Sequence, residues 1–185
     1  MTKLRIVNVV ATANLEQQVD LLKMASLENV MYNIDTYGGR VAYLKKPNMH
    51  GKVSVFTTGR MISTGTTHPE QANEDLNNAA AFLADNRLVD VTTTKTVTRN
   101  IVALLEMPGP LSLEEAARNL NAIYEPDQFP GAIVKQRDPK ATYLLFSSAK
   151  IVILGTRSLE ELNQALEHIQ SLLGRYVAPI DGSCH

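Results

Sequence analysis

Hydrophobic and polar residues follow two different periods along the chain. Residues 4–11 and 97–105 are rich in β-branched side chains, and short segments between them alternate apolar with polar positions, which predicts strands. The apolar residues between Ser158 and Gly174 recur at helical spacing, which predicts a helix that starts at a serine cap and stops at a glycine. A matching helix is predicted to begin near Pro69. The chain is therefore expected to mix helices and strands.

The second half of the chain repeats the first. Asn8 recurs as Asn100, 92 residues later, inside the similar segments 6–12 and 98–104. The offset then falls to 90, because the first copy holds two additional residues around 48–51, in a predicted hairpin turn where insertions are tolerated. We therefore predict two domains, residues 1–92 and residues 93–185, the second with a short tail from about residue 177. Equivalent positions include Tyr32 and Tyr124, Tyr37 and Phe129, Gly39 and Gly131, Pro47 and Pro139, Phe56 and Phe146, and Gly65 and Gly155.

Each copy has the same order of elements, and this order predicts the fold class. A strand is followed by a short helix, several short strands and a longer closing helix. Ser112 and Ser158, each with a glutamate three residues later, form predicted capping boxes, and Asp20 is the matching cap of the first copy. Helices on one side of short strands predict an α+β fold, an antiparallel sheet with one covered face. Two copies can join their sheets into one long curved sheet, whose uncovered face either meets water or binds a partner.

Composition and charge narrow the function classes. The 185 residues carry a formal net charge of −1, so nucleic-acid binding requires a local concentration of positive charge. The single cysteine, Cys184, excludes a disulfide framework and is interpreted as an exposed tail residue. No apolar run is long enough for a membrane span, and the chain enters a strand too directly for a signal peptide. The histidines share no metal-ligand spacing and no catalytic constellation is found, so no metal, cofactor or enzymatic activity is predicted.

The uncovered face of the sheet has a distinctive predicted composition. Alternation places Asn8 with Val10 and Asn100 with Val102, and it adds two phenylalanines and further aliphatic residues to the same face. Asparagine can hydrogen-bond the acceptors of A·T pairs in the minor groove, aliphatic side chains fit its shallow floor, and aromatic side chains can wedge between base steps. Basic residues at the rim would contact phosphates. The pattern indicates DNA binding in the minor groove.

Four segments carry a resemblance to a known family. They are residues 6–12, 124–131, 138–142 and 144–152, and the string Tyr124-Glu125-Pro126-Asp127-Gln128-Phe129-Pro130-Gly131 is highly specific. Over about residues 4–176 the sequence resembles the TATA-binding protein family, general transcription initiation factors of archaea and eukaryotes. The resemblance implies a saddle of two similar halves that binds and bends TATA-box DNA, a mode for which this family is the usual example. It also implies recruitment of transcription factor B and RNA polymerase.

The resemblance assigns roles to individual residues. Asn8 and Asn100 match the family's central asparagines, and Val10 and Val102 match the neighbouring contacts on the groove floor. The other predicted DNA-binding residues are the wedges Phe56, Phe129 and Phe146, with Tyr37 in the fourth wedge position, the floor residues Ile62, Thr64, Leu144, Val152 and Leu154, and the phosphate-binding Arg60, Lys135, Lys150 and Arg157. Glu125 matches a residue that contacts transcription factor B, and Asp127 beside it completes the predicted partner site.

The departures from the family pattern lie mostly in the first copy. Tyr37 replaces a phenylalanine wedge and is followed by Gly38-Gly39 instead of Pro-Gly, and its hydroxyl must find a partner or stay hydrated. Ser54 replaces a leucine of the floor, which removes apolar area. In the second copy Leu154 replaces a threonine and Ala149 replaces a glycine. These changes predict a divergent member with an altered readout surface.

Three hypotheses remain open from the sequence. The first is a general transcription initiation factor that binds and bends A·T-rich promoter DNA and recruits transcription factor B and RNA polymerase. The second is a divergent paralogue acting as a partner-dependent regulatory or protein-interaction module with weakened DNA binding. The third is an enzyme or its accessory domain, against which the missing catalytic constellation counts. An archaeal source implies a cytoplasmic, nucleoid-associated protein and a eukaryotic source a nuclear one, and an apolar concave face is compatible with a homodimer.

Overall fold

The computed structural model describes residues 2–174, which form strands and helices in the predicted order. The predicted tail from about residue 177, including Cys184, lies outside the described residues. Within residues 2–174, none of the helices is both long and apolar enough to cross a membrane. In chain order the elements are β1 (Lys3–Asn14), α1 (Leu21–Met24), β2 (Val30–Tyr32), a 3-10 helix (Thr36–Gly39), β3 (Val41–Leu44), β4 (Lys52–Phe56), β5 (Arg60–Thr66), α2 (Pro69–Asp85), β6 (Val97–Glu106), α3 (Leu113–Leu120), β7 (Ala132–Gln136), β8 (Ala141–Leu145), β9 (Lys150–Thr156) and α4 (Leu159–Leu173).

The chain divides into two compact units with a similar internal order, although β2 and the 3-10 helix of the first unit have no counterpart among the named elements of the second. The first unit comprises Asn8–Arg99; its strands follow the order β2-β3-β4-β5-β1, with α1 and α2. The second unit comprises residues 2–7 and 100–174 of the described chain; its strands follow the order β6-β9-β8-β7, with α3 and α4. Strand pairing within each unit is antiparallel. The predicted α+β fold class with antiparallel strands is therefore confirmed.

In the first unit, one side of the strands forms the core. Val9 and Ala11 of β1 and Val53 and Val55 of β4 are fully or almost fully buried, and they alternate with half-buried residues. Helix α2 contacts β4 and β5 and covers this side. The buried stripe of α2 consists of Ala72, Asp75, Leu76, Ala79, Ala80 and Leu83. Because side chains alternate along a strand, the half-buried set points to the opposite side of the sheet.

The second unit repeats this arrangement with a larger side chain at its centre. Ile101 of β6 and Ile153 of β9 are fully buried, and α4 packs on β9. Tyr143 of β8 is also fully buried, and its hydroxyl donates to the carbonyl oxygen of Ala165 at 3.0 Å. Burial raises the pKa of Tyr143 to about 12, since the ionised phenolate would be poorly solvated there. The equivalent position of the first unit is Val53 on β4, so the equivalent strands of the two units carry side chains of different size in their cores.

The predicted helix caps are confirmed at three helices. Asp20 accepts hydrogen bonds from the backbone N–H groups of Leu22 and Lys23, both at 3.1 Å, and these bonds, that of Lys23 first, lower the pKa of its carboxyl group. The Ser112 and Ser158 hydroxyls accept from the N–H groups three residues later, at 3.4 and 3.1 Å. At Ser158 the capping box is completed one residue earlier than predicted: Glu161 accepts from the N–H of Arg157, at 2.7 Å.

The two-residue insertion of the first copy lies in the turn between β3 and β4, as predicted. This turn is tied to α2 by the fully buried Asp75, whose carboxylate accepts from the N–H groups of His50 and Gly51 at 3.0 and 2.6 Å. Lys45 closes the turn from the other side, since its ammonium group donates to the carbonyl oxygen of Met49 at 2.6 Å. These hydrogen bonds therefore hold the longer turn of the first copy against α2.

Candidate nucleic-acid interface

Half-buried residues line the open face of the first unit, the side of its strands opposite α2. Asn8, Val10 and Thr12 of β1 alternate with the buried core residues of that strand. Ile62 of β5 stands opposite Thr12 on one neighbouring strand and Ser54 on the other. Phe56, Thr64 and Tyr43 complete this face. Several predicted floor residues of the first copy therefore share one surface.

The open face of the second unit is the equivalent side of β6, β9 and β8, and it is more apolar. Val152 stands opposite Leu104 on β6 and opposite Leu144 on β8. Leu154 stands opposite Thr142. Asn100, Val102 and Phe146 are half-buried on the same side. The structure thus brings together the predicted floor residues of this copy as well.

A glycine bulge fixes the orientation of Asn8. Val9 pairs with Thr66 and Ala11 with Ser63, so Thr64 and Gly65 together stand opposite the single residue Val10. Gly65 adopts φ +89°, a left-handed conformation that side chains disfavour. Its N–H leaves the strand ladder and donates to Oδ1 of Asn8 at 2.8 Å. With Oδ1 engaged, the amide NH₂ group of Asn8 presents its two donors away from the backbone.

The second unit contains the same device around Asn100. Ile101 pairs with Thr156 and Ala103 with Ile153, which leaves Leu154 and Gly155 opposite Val102. Gly155 has φ +96°, and its N–H donates to Oδ1 of Asn100 at 2.8 Å. The sequence revealed both glycines only as repeat positions and gave them no role. The signal that identifies them is the joint recurrence of an asparagine on the opening strand and a glycine near the end of the last strand.

The aromatic residues differ between the units. Phe129 and Phe146 form an edge-to-face pair with ring centroids 5.8 Å apart. A Cβ atom at Gly131 would lie 2.8 Å from the Phe129 ring, so this position admits only glycine while the pair keeps its geometry. In the first unit Tyr37 lies in the 3-10 helix at φ +50° and is 74% exposed. Tyr37 is therefore presented on a turn, whereas Phe129 is held by its neighbour.

The predicted phosphate-binding residues are all exposed. Arg60 and Lys150 begin the equivalent strands β5 and β9, and Lys135 lies on β7. Lys150 stands opposite Glu106 and Lys135 opposite Thr142. Arg157 directly precedes the cap of α4.

The predicted partner residues Glu125 and Asp127 are exposed in the turn that leads to Phe129. The carbonyl oxygen of Glu125 accepts from the N–H groups of Gln128 and Phe129, both at 2.9 Å, which closes the turn. Their carboxylates remain available to a partner at the surface.

A groove on the open face of the first unit was not predicted from the sequence. It has a volume of about 650 Å³ and lies beside Phe56 and Ile62. Arg60, Lys95 and Arg99 contribute its positive charge. Within residues 2–174, no group of three or more His, Cys, Asp and Glu side chains is arranged to hold a metal ion.

A family model covers both copies of the repeat. Residues 3–86 and 95–176 match the model described as transcription factor TFIID, or TATA-binding protein. The TATA-box-binding protein of Cenarchaeum symbiosum is 38% identical over 165 residues, which cover 89% of this chain and 90% of that protein. That of Methanothermobacter thermautotrophicus is 35% identical over 176 residues, or 92% of this chain and 94% of the relative.

The structural comparison agrees with the sequence comparison. The Methanococcus jannaschii TBP superposes with a TM-score of 0.80 at 26% identity, covering 94% of this chain and 99% of that one. The predicted TATA-binding-protein-like fold is confirmed by this match. The family is one of DNA-binding transcription factors, which confirms the prediction that the chain is not an enzyme. With matching repeats, relatives and fold, the chain belongs to the TATA-binding protein family and has its role in transcription initiation.

Proposed function

We propose that the open faces of both units bind the minor groove of TATA-like promoter DNA and bend it, as part of a general transcription initiation factor. The observation that carries the proposal is the identical anchoring of Asn8 and Asn100, each with Oδ1 held by a glycine N–H at 2.8 Å. The anchored amides offer donors only. The minor groove of an A·T pair offers acceptors only, adenine N3 and thymine O2.

The chemistry of this contact selects A·T pairs at the centre of the site. A G·C pair adds the guanine N2 amino group to the groove floor, where it would meet the donors of Asn8 or Asn100 and occupy the space used by the valines beside them. Val10 and Val102 follow the asparagines on the same face. Close packing of valine on the floor requires the flat, unobstructed surface that an A·T step provides.

The aromatic residues supply the proposed wedges. Phe129 and Phe146 enter one base step, and Phe56 with Tyr37 enters another, which unstacks the steps and bends the duplex. The edge-to-face pair of Phe129 and Phe146 is already formed at 5.8 Å. Arg60, Lys135, Lys150 and Arg157 then neutralise phosphates at the rim.

The exposed Glu125 and Asp127 are proposed to bind transcription factor B, which in turn recruits RNA polymerase. Both carboxylates project from a closed turn and are free of ion pairs within residues 2–174. An acidic surface of this kind favours a basic partner surface. In the absence of DNA, the apolar open face is the proposed contact of a homodimer.

A second candidate function is a partner-dependent regulatory module with weakened DNA binding. The observation that favours it is Tyr37, which is 74% exposed on a turn instead of packed as a wedge. Ser54 adds to this by removing apolar area from the floor of the same unit. Under this second candidate function, the first unit binds DNA only when a partner protein is already bound.

Two further predictions belong to the proposal. Residues 1–92 and 93–185 are proposed as the duplicated copies, because each has an opening strand, a short helix, a closing helix and the same asparagine–glycine pair. The relatives come from archaea, so we place the protein with the chromosome in an archaeal cytoplasm.

The proposal is tested with a TATA-box duplex that carries a dye at each end. Energy transfer between the dyes reports bending, and a salt series with and without transcription factor B separates intrinsic from partner-dependent binding. Two control duplexes carry I·C or G·C at the central positions, since I·C keeps the minor-groove acceptors and lacks the amino group. Binding and bending of the TATA and I·C duplexes, with loss on G·C, supports the proposal. Binding only with transcription factor B supports the second candidate, and no binding under either condition rejects both.

A further inference from the structure

The groove of the first unit concentrates positive charge in a chain that is slightly negative overall. Its volume is about 650 Å³, and its lining contains three cations and no carboxylate. The formal net charge of the chain is −1. The lining residues are Thr12, Ala13, Asn14, Phe56, Thr58, Arg60, Met61, Ile62, Lys95, Val97 and Arg99.

Arg99 is held at the wall of this groove by one hydrogen bond. Its Nε donates to Oγ1 of Thr12 at 2.8 Å, which orients the guanidinium group. Its two Nη groups have no hydrogen-bond partner among residues 2–174. Arg60 and Lys95 likewise form no ion pair with a carboxylate in the described part of the chain. Oriented guanidinium donors beside two uncompensated cations are a typical phosphate-binding arrangement.

The equivalent positions of the second unit also carry cations, since Lys95 corresponds to Lys3 and Val97 to Arg5, but they differ at two places. Arg99 corresponds to Val7, and Asn14 of the lining corresponds to Glu106. Glu106 stands opposite Lys150, which itself corresponds to Arg60. A carboxylate next to Lys150 reduces the potential that a phosphate would experience there. The arginine at position 99 and a lining without a carboxylate therefore distinguish the groove of the first unit, whereas basic residues recur in both copies.

We propose that this groove binds backbone phosphates of the DNA duplex, with Lys95 and Arg99 as phosphate contacts in addition to the rim residues. The proposal rests on the proposed function, since it assigns the duplex to the same open face. Phe56 lines the groove, so the phosphates concerned are those next to the base step that Phe56 enters. Each contact releases counterions from the DNA, which makes it visible as salt dependence.

The test compares the full-length chain with the double variant Lys95→Gln/Arg99→Gln on the TATA-box duplex across a salt series. Loss of two phosphate contacts is expected to reduce the slope of log K against log salt by about 1.8, so that the wild type loses about 60-fold more affinity per tenfold increase in salt. The matched control is Lys23→Gln, which removes an exposed cation on α1 that pairs with Asp20. Its slope is expected to equal that of the wild type.

Mapping with neutral methylphosphonates locates the contact. Single phosphates are neutralised one at a time, and those that weaken the wild type and leave the double variant unaffected are expected to cluster at one end of the site. Thermal unfolding is measured in parallel, because a purely structural Arg99–Thr12 bond would lower the melting temperature and leave the salt slope unchanged. An unchanged slope with normal wild-type binding overturns this inference alone, whereas a wild type that does not bind the duplex overturns the proposed function with it.

Discussion

The open faces of the two units share their hydrogen-bonding anchors and the valine beside each anchor, and they differ in the polarity of the surrounding floor. The asparagine and its bulge glycine are conserved between the copies in sequence, in φ and in a 2.8 Å bond. Around them, three polar residues of the first unit correspond to three leucines of the second. The equivalent pairs are Thr12 and Leu104, Ser54 and Leu144, and Thr64 and Leu154.

This difference predicts that the two units bind the proposed DNA duplex by different interactions. The second unit offers leucines and a preformed aromatic pair, so apolar burial is expected to add to the phosphate contacts proposed for Lys135, Lys150 and Arg157. The first unit offers hydroxyl groups and a cationic groove, so a larger share of its contribution is expected to be electrostatic and to weaken as salt rises. Two duplicated copies that both keep the asparagine–glycine pair can therefore diverge in the residues around it while the asparagines stay in the same position on the sheet.

The largest expected effect comes from Asn8→Asp and Asn100→Asp, which test the shared anchor. The aspartate keeps an oxygen for the glycine N–H, loses both amide donors and turns a negative charge toward the groove. We expect each variant to bind the TATA-box duplex about 100-fold more weakly, a loss of about 3 kcal/mol, because like charges across an interface cost several kcal/mol. Binding titrations measure this. Losses that differ by an order of magnitude between the two variants would contradict the equivalence of the anchors.

The next effect comes from the wedges, where the units are expected to differ. Phe146→Ala removes a wedge and the support of Phe129, whereas Phe56→Ala removes one wedge alone. Stacking of a base on an aromatic side chain contributes about 1–3 kcal/mol, so we expect about a 100-fold loss for Phe146→Ala and about a tenfold loss for Phe56→Ala. Energy transfer in the doubly labelled duplex gives affinity and bend together. Equal losses would show that the aromatic pair has no cooperative role.

A smaller effect is expected when the floor of the first unit is made like that of the second. Ser54→Leu introduces the residue found at position 144 and adds apolar area beside Ile62. We expect binding to tighten about fivefold, or by about 1 kcal/mol, because only part of the added side chain is removed from water. The salt slope should stay unchanged, since no charge is altered. The reverse change, Leu144→Ser, serves as the matched control and should weaken binding.

The smallest effect concerns stability and compares two equivalent turns. Ala149 is buried at φ +56°, a conformation that is unfavourable for a residue with a Cβ atom, whereas Gly59 occupies the first turn at φ +82°. Ala149→Gly should raise the free energy of unfolding by about 0.5–1 kcal/mol, after the greater entropy of glycine in the unfolded chain is offset. Thermal unfolding should show a rise in melting temperature of about 1–4 °C.

The control for that turn is Gly59→Ala, which is expected to destabilise the first unit. A Cβ atom at this position would overlap the carbonyl oxygen of Gln17, and Gly59 has φ +82°, which a residue with a Cβ atom disfavours. An Ala149→Gly variant that unfolds at a lower temperature than the wild type would contradict the assignment of strain to Ala149.

Local signals made much of this molecule predictable from its sequence. The caps at Asp20, Ser112 and Ser158 depend on neighbours within three residues, and the opening strands depend on their own alternation. Because the chain is a repeat, most of these sequence patterns occur once in each copy and support each other. The strand faces followed, because a period of two fixes which side chains share a side.

Long-range features were not predictable in the same way. The bond between Asn8 and Gly65 joins residues 57 positions apart and depends on a bulge that no local pattern announces. The groove depends on how residues 95–99 pass beside β1. Strict alternation assigns Arg99 to the side of the buried Ile101, yet its Nε reaches the Thr12 hydroxyl on the open face. The sequence shows that Arg99 is charged, but it does not show that its side chain lines the groove.

The bulge glycines also give the protein a built-in pair of spectroscopic probes. Glycine amides are readily recognised in a ¹⁵N-correlated spectrum, and the N–H groups of Gly65 and Gly155 point at the two side chains proposed to touch the bases. Although both glycines lie on the side of the sheet without helices, a donated hydrogen bond slows their exchange with solvent. Titrated with DNA, the two resonances would report in a single experiment which unit engages first and whether the other follows.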